Sequence, residues 1–201
     1  MKLEHKIIVD WVDEGSSVLD LGCGDGELLS ILVKEKNVRA HGTEIDEQLI
    51  YKCVAKGLNV FHEDIDAGLS GYPDSSFDFV IFSESLQQAK RPDNVLGDAL
   101  RVGKNLIVSF PNFGRYSVRF QILFRGKVPV TPALPFEWYD TPNLHFLSIS
   151  NFIEYCKVRN IRVKDSAFVT GERRVKVFPN FLAETGIFLL SKGEGMTRLT
   201  K

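Results

Sequence analysis

Apolar positions recur along this chain in two alternating rhythms. From Glu4 to Asp13 they fall at helical spacing, with Ile7, Ile8, Trp11 and Val12 on one side and Gly15 closing the segment. A short apolar run from Val18 to Leu21 follows directly and predicts the first strand. Helical signals return over 27–35, 47–56 and 93–102, separated by strand-like runs over 38–44, 59–62, 77–82 and 105–110. Such β-α repetition, with strands apolar on both faces, predicts an α/β fold on a buried, mostly parallel sheet. A later helix is expected over 150–159 and two terminal strands over 161–169 and 185–191. Periodicity is lost from Lys192 onward, which predicts one domain over 1–192 and a frayed tail over 193–201.

The join between the first strand and the second helix carries the most informative chemistry. It reads Val18-Leu19-Asp20-Leu21-Gly22-Cys23-Gly24-Asp25-Gly26, three glycines at alternate positions after an acid. Glycine permits positive φ and leaves room where a Cβ would stand, so the loop predicts a ligand-cradling turn. The competing reading is a tight strand-helix connection that holds nothing. A dinucleotide loop would read G-x-G-x-x-G in uncharged surroundings, whereas Asp20 and Asp25 here would face an anionic phosphate. No GK[ST] follows, which removes the P-loop reading. A nucleoside bearing an ammonium and a sulfonium suits such a loop, and S-adenosylmethionine carries both.

Two further strand ends carry acids. Glu44 closes the second strand about 20 residues downstream, where a carboxylate accepts hydrogen bonds from ribose hydroxyls, and Ile45 beside it could pack on the adenine face. Asp46 is a competing helix cap that frees Glu44 for the ligand. Asp64, after the third strand, could accept from the adenine amino group, although with Glu63 and Asp66 it also fits a surface acidic loop. Cys23 reads as a small packing residue. His62, Glu63 and Asp64 are consecutive, so they point to alternate faces and predict no metal site.

At this point the chain resembles the class I S-adenosylmethionine-dependent methyltransferases. Within them it is most similar to the methionine biosynthesis protein MetW family. The narrower resemblance is carried by Gly57-Leu58-Asn59-Val60, Asp64 to Leu69, Ser83-Glu84-Ser85-Leu86-Gln87, Arg101-Val102-Gly103, Ser109 to Gly114, Pro129-Val130-Thr131 and Trp138 to Asn143. The resemblance implies a Rossmann-like, mostly parallel seven-stranded sheet with an antiparallel last strand and helices on both faces, its last two strands forming an antiparallel edge hairpin. It implies a pocket for S-adenosylmethionine or S-adenosylhomocysteine at Asp20, Gly22, Cys23, Gly24, Gly26, Glu44, Ile45, Asp64, Ile65 and Ser83. It also implies a role in methionine synthesis beside homoserine O-acyltransferase.

In open parallel sheets ligands bind outside the carboxyl ends of the strands, so residues 113–147, which leave the fifth strand there, are expected to wall the pocket as an inserted, proline-stiffened loop. Tyr139 and His145 within it are candidates for a catalytic role, with a packed core histidine as the alternative for His145. Methyl transfer needs little beyond in-line placement, so a missing base does not exclude it. Three readings stay open: a MetW-like protein that binds the cofactor and works with an acyltransferase, an active small-molecule O- or N-methyltransferase, and a structural partner with a vestigial pocket.

Composition narrows the rest. With 201 residues, 44% hydrophobic and 25% charged, the chain can bury one substantial core. A net charge of −1 offers no basic field for a nucleic acid, and no Asn/Asp-Pro-Pro-Tyr/Phe signature for base methylation is present. The first residues lack the basic start and apolar core of a signal peptide, and no run reaches membrane-spanning length, which predicts a cytoplasmic protein. Cys23, Cys53 and Cys156 are odd in number and widely spaced, so no disulfide framework is expected. Arg173, Arg174 and Lys176 read as a solvated hairpin tip.

Overall fold

The computed structural model describes residues 1–193; apart from Gly193, the expected tail lies outside the described residues. In chain order the elements are α1 (Leu3–Trp11), β1 (Ser17–Leu21), α2 (Glu27–Lys36), β2 (Arg39–Glu44), α3 (Glu47–Ala55), β3 (Val60–His62), β4 (Phe77–Ser83), α4 (Pro92–Val102) and β5 (Gly103–Pro111). There follow α5 (Tyr116–Arg125), α6 (Ile149–Val158), β6 (Ile161–Thr170), β7 (Arg173–Arg174), α7 (Pro179–Leu182) and β8 (Thr185–Lys192). The strands form one sheet in the order β3-β2-β1-β4-β5-β8-β6-β7. β1 to β5 are parallel, and β8 runs antiparallel to both β5 and β6.

Alternate residues of the central strands feed two cores. Leu19, Phe82, Phe110 and Phe188 face one side, packing with Leu100 of α4 and Phe152 of α6. Val18, Ile81, Ile107 and Ile187 face the other, against Ile7 and Ile8 of α1 and Leu29 and Leu32 of α2. Local chemistry sets the helix starts. Asp46 accepts from the backbone N–H groups of Gln48 (2.8 Å) and Leu49 to cap α3. Ser148 and Asn151 cap α6 reciprocally, and Pro92 opens α4.

Two expectations need correction. Beside the seven long strands there is an eighth, the two-residue β7, which pairs with the end of β6 around the Gly171–Glu172 turn, so the basic run at Arg173 and Arg174 is indeed a hairpin tip. The last two long strands pair antiparallel at this edge of the sheet as expected, with β6 outermost of the two and β8 between β5 and β6. The unbroken Ile187-Phe188-Leu189-Leu190 run of β8 suits an interior strand, whereas β6 is exposed from Arg162 to Ser166. Residues 113–147 are not simply a stiff loop, since they contain the three-turn helix α5.

That segment is anchored by Asn112. Its side-chain amide donates to the carbonyls of Asn180 (3.0 Å) and Ala183 (2.9 Å), and its Oδ1 accepts from Gly114 and Ile149 N–H. Arg101 plays a similar part on the other flank of the sheet. Its guanidinium donates to the carbonyls of Tyr72 (2.8 Å) and Leu69 (2.7 Å) and pairs with Asp74 and Asp98, stapling the 69–74 loop to α4. Arg101→Met strips those acceptors of their donor and is expected to lower stability by about 2–3 kcal/mol, read as a drop in the urea midpoint; an unchanged midpoint would show that the loop needs no staple.

Candidate functional site

The strand order reverses direction at β1 and β4, and in such sheets the crevice opens beyond the carboxyl ends of the strands flanking that switch. A cleft of about 430 Å³ lies there, lined by Gly22, Gly24, Glu44, Ile45, Leu49, the 63–66 turn, Ser83 to Ser85, Gln88 and Lys90. A smaller lobe of about 150 Å³ adjoins it between the glycine loop and α1, lined by Lys2, His5, Asp20, Cys23 and Asp25 among others; Gly22, Gly24, Ser83 and Glu84 border both.

The three glycines of the loop serve different ends. All take positive φ. A Cβ on Gly22 would stand 2.9 Å from Ser85 Cβ, and one on Gly26 would stand 2.5 Å from Leu58 Cδ1, so these two permit close packing of protein on protein. A Cβ on Gly24 meets nothing within 4 Å. The connection reading therefore explains Gly22 and Gly26; Gly22 and Gly24 both border the cleft, and Gly24 is the one whose missing Cβ leaves open space. Cys23 lies against Gly42, and burial, then Asp20, pushes its thiol far above the ordinary range, as a packed and unreactive residue requires.

Glu44 is buried at the end of β2 with its carboxylate fixed by backbone. Its Oε1 accepts from Ile45 N–H (2.8 Å) and Asp46 N–H (3.0 Å), and its Oε2 accepts from Gly24 N–H (2.8 Å). Both positions on Oε1 are thereby filled and one on Oε2 stays open, which gives room for one hydroxyl without rearrangement. Asp46 does take the capping role. Ile45 is 59% exposed on the cleft wall. Asp64 Oδ1 accepts from Asp66 N–H (2.9 Å) to start a short 3₁₀ turn over Ile65–Ala67, and Asp66 in turn accepts from Lys90 and Arg91 N–H. These contacts brace the cleft's far wall, with Ile65 packed against the core beside it.

Asp20 lies on the same face of β1 as Val18, toward α1 and α2, and is 1% exposed. Its Oδ1 has no hydrogen-bond partner within the protein. Burial, then the nearby Glu44 carboxylate, raises its pKa to about 7. A buried acid without a partner is costly to ionise, and a cation at the adjoining lobe would relieve that cost.

The pattern of residues also left something unseen. Glu4 projects from α1 to Ser83 and Ser109, paired neighbours at the ends of β4 and β5; both hydroxyls donate to its Oε1. The available signal was an acid on the apolar face of a helix, one turn before Ile7 and Ile8. Glu84, just beyond Ser83, holds φ at +55°, a conformation rare for a residue with a side chain.

Neither catalytic candidate reaches the cleft. Tyr139 is 70% exposed beside Trp138, and His145 borders a separate, largely apolar cavity of about 320 Å³ with Gln87, Phe152 and Tyr155. Residues 113–147 thus line that cavity through His145, Phe146 and Leu147 rather than forming the expected second wall, and Leu144 and His145 N–H both donate to the Gln87 carbonyl beside it. Among the described residues no group of three or more His, Cys, Asp and Glu is placed to hold a metal, and no helix is long and apolar enough to cross a membrane.

Comparison with known proteins agrees with this architecture. The chain aligns with a structure from Archaeoglobus fulgidus described as a SAM dependent methyltransferase, with a TM-score of 0.69 and 19% identity over 93% of this chain and 90% of that one. It aligns equally with a chain from a complex between the Haloferax volcanii Trm112 methyltransferase activator and a methyltransferase, with a TM-score of 0.70 and 16% identity over 97% and 90%. At such identities these likenesses show the fold. In sequence the chain is 28% identical over 200 residues to the bifunctional methionine biosynthesis protein MetXA/MetW of Rhodopirellula baltica; this covers 93% of the chain and spans about a third (32%) of that relative's length. The profile of the family described as methionine biosynthesis protein MetW matches residues 2–190, from the start of α1 into β8, and this chain belongs to that family.

Proposed function

We propose that the chain binds S-adenosylmethionine in the cleft at the β1/β4 switch and serves methionine biosynthesis as a ligand-responsive partner of homoserine O-acyltransferase. The observation that carries the ligand is the carboxylate set around the open face of Gly24: buried Asp20 with an unpartnered oxygen on one side, Glu44 with one open acceptor position on the other. Glu44 would hold a ribose hydroxyl, Ile45 and Leu49 would flank the base, Asp64 would accept from its amino group, and Asp20 would face the cationic sulfonium. S-adenosylmethionine, when bound, supplies an electrophilic methyl group. The chain's own residues orient the nucleoside and set the charge of its surroundings.

The partner is supported by the Rhodopirellula baltica relative, a bifunctional methionine biosynthesis protein whose name joins MetXA to MetW in one polypeptide; we take the MetXA part as the acyltransferase. Fusion keeps two activities at high effective concentration, which is useful when the halves work in contact. The exposed apolar face of α5, where Phe120, Leu123 (72% exposed) and Phe124 (76% exposed) stand near the basic Arg125, suits such a contact. A ligand regulates a complex only if it binds two of its states unequally, so S-adenosylmethionine would have to favour one state of the acyltransferase.

The test is calorimetric titration of the purified protein with S-adenosylmethionine, then assay of the same organism's homoserine O-acyltransferase with and without this chain and the ligand. Saturable binding, together with an acyltransferase rate that depends on both, is the expected result. Co-purification is expected to fail for a Leu123→Asp, Phe124→Asp double variant that still binds ligand. Loss of methyl groups from the cofactor with a panel of small acceptors, and no effect on the acyltransferase, would favour an autonomous methyltransferase instead.

A further inference from the structure

Acids dominate the lining of the two lobes: eight carboxylates against the cations Lys2 and Lys90, with His5 held neutral-leaning by burial. The strongest concentration lies where the lobes meet. Glu84 borders both, its backbone N–H donating to the Ser109 carbonyl (3.1 Å) and its φ locked at +55°. Behind it Glu4, 7% exposed, is bound by the Ser83 and Ser109 hydroxyls. Across the glycine loop stands Asp20, whose Oδ1 is buried without a partner and therefore marks a missing donor or cation. The strain at Glu84, just past β4, and the orphaned oxygen of Asp20, on β1, are independent features of one lobe.

We propose that this junction reads the charge on sulfur, so that the cleft accepts the sulfonium S-adenosylmethionine and discriminates against its neutral thioether product, S-adenosylhomocysteine. The inference rests on the ligand assigned above and adds what the site measures. Both molecules share the nucleoside and the amino-acid end, so Glu44, Asp64 and the glycine loop cannot tell them apart. The fixed positive charge is the difference, and buried carboxylates in low dielectric are the groups that sense it. A protein reporting the supply of methyl donor needs this selectivity.

The protonation of the junction gives the selectivity a pH dependence. Burial, then the neighbouring Glu84, raises Glu4 to about 7 against the opposing pull of the Ser109 hydroxyl and Lys2, and burial raises Glu84 as well. On the other side Asp20 faces Glu44 and Cys23, and His5 faces Glu27 and Asp25 from α2 and its loop. An arriving sulfonium favours the ionised acids and releases protons, so discrimination widens as pH rises through 7 and narrows below it.

The experiment is titration of the intact protein with three probes: S-adenosylmethionine, S-adenosylhomocysteine, and sinefungin, which carries an amine-bearing carbon in place of the sulfonium. At pH 8 the two cations are expected to bind at least about tenfold tighter than the thioether, with the gap shrinking severalfold at pH 6. Glu84→Gln, and separately Glu4→Gln, are expected to close the gap while leaving S-adenosylhomocysteine affinity within about twofold; two variants guard against one that fails to fold, which a melting curve reports. Equal or tighter binding of the thioether by wild type overturns the inference and leaves the cofactor assignment standing. Binding of none of the three overturns both.

Discussion

Gly24→Val is expected to fold and to show no saturable binding of S-adenosylmethionine, an affinity loss of at least about a hundredfold, or some 2.7 kcal/mol. A β-branched residue at φ +58° is strained by about 1–2 kcal/mol, which lowers the melting temperature by only a few degrees in a chain this long. The new side chain meets no protein atom near its Cβ, so the volume it takes is the cleft's. Gly26→Val provides the contrast: its Cβ would stand 2.5 Å from Leu58 and 2.9 Å from Cys53, so it should damage stability first. Glu44→Ala should also abolish binding, since it removes the open acceptor and leaves the Gly24, Ile45 and Asp46 N–H groups without their carboxylate. Titration beside thermal melting separates these cases. A Gly24→Val chain that binds normally would show that the ligand does not cross the loop.

The second large effect runs in opposite directions for stability and binding. Asp20 is held at a pKa of about 7 in the folded chain against an ordinary value of 3.8. Below about pH 4 the acid is protonated whether the chain is folded or not, and burial then costs no charge. Between there and pH 7 the folded state keeps a proton that the unfolded state releases, so stability falls as pH rises. Above 7 the penalty is complete, at most about 4 kcal/mol. Glu4, raised to about 7 for the same main reason, adds a fall over the same window. Asp20→Asn should therefore raise the ligand-free melting temperature by several degrees at pH 8 and barely change it at pH 5, while weakening S-adenosylmethionine binding strongly at pH 8 and much less at pH 5. A variant no more stable than wild type at pH 8 would mean that the buried carboxylate is already compensated. Such an exchange of stability for binding is what a functional buried charge produces.

Much of this was legible along the chain because it depends on neighbours in sequence. The strand-glycine-helix join needs only local geometry, and Asp46 caps α3 through a contact two residues away. The long helices and strands fell within a few residues of their expected positions, since a face buried over several turns imposes its period on the sequence. Helix α5 escaped notice because its apolar residues, Phe120, Leu123 and Phe124, do not point into a core; they are exposed, and their composition resembles a loop with aromatic side chains. The placement of β8 escaped for another reason. A strand's pairing partners are set by the path of the whole chain, and only its unbroken apolar run hinted at an interior position.

The site divides along the same line. Sequence alone determined the fold class, the acid-rich glycine loop and the acids at successive strand ends, because parallel β-α units carry their ligand-facing residues at fixed offsets from each strand. Only the tertiary structure decided that a side chain at Gly24 would enter the open cleft while Gly22 and Gly26 permit close packing, that Tyr139 and His145 stand apart from the cleft, and that Glu4 meets Ser109 from 105 residues away. Those facts depend on which elements the completed sheet brings side by side, and on burial that no stretch of sequence can express by itself.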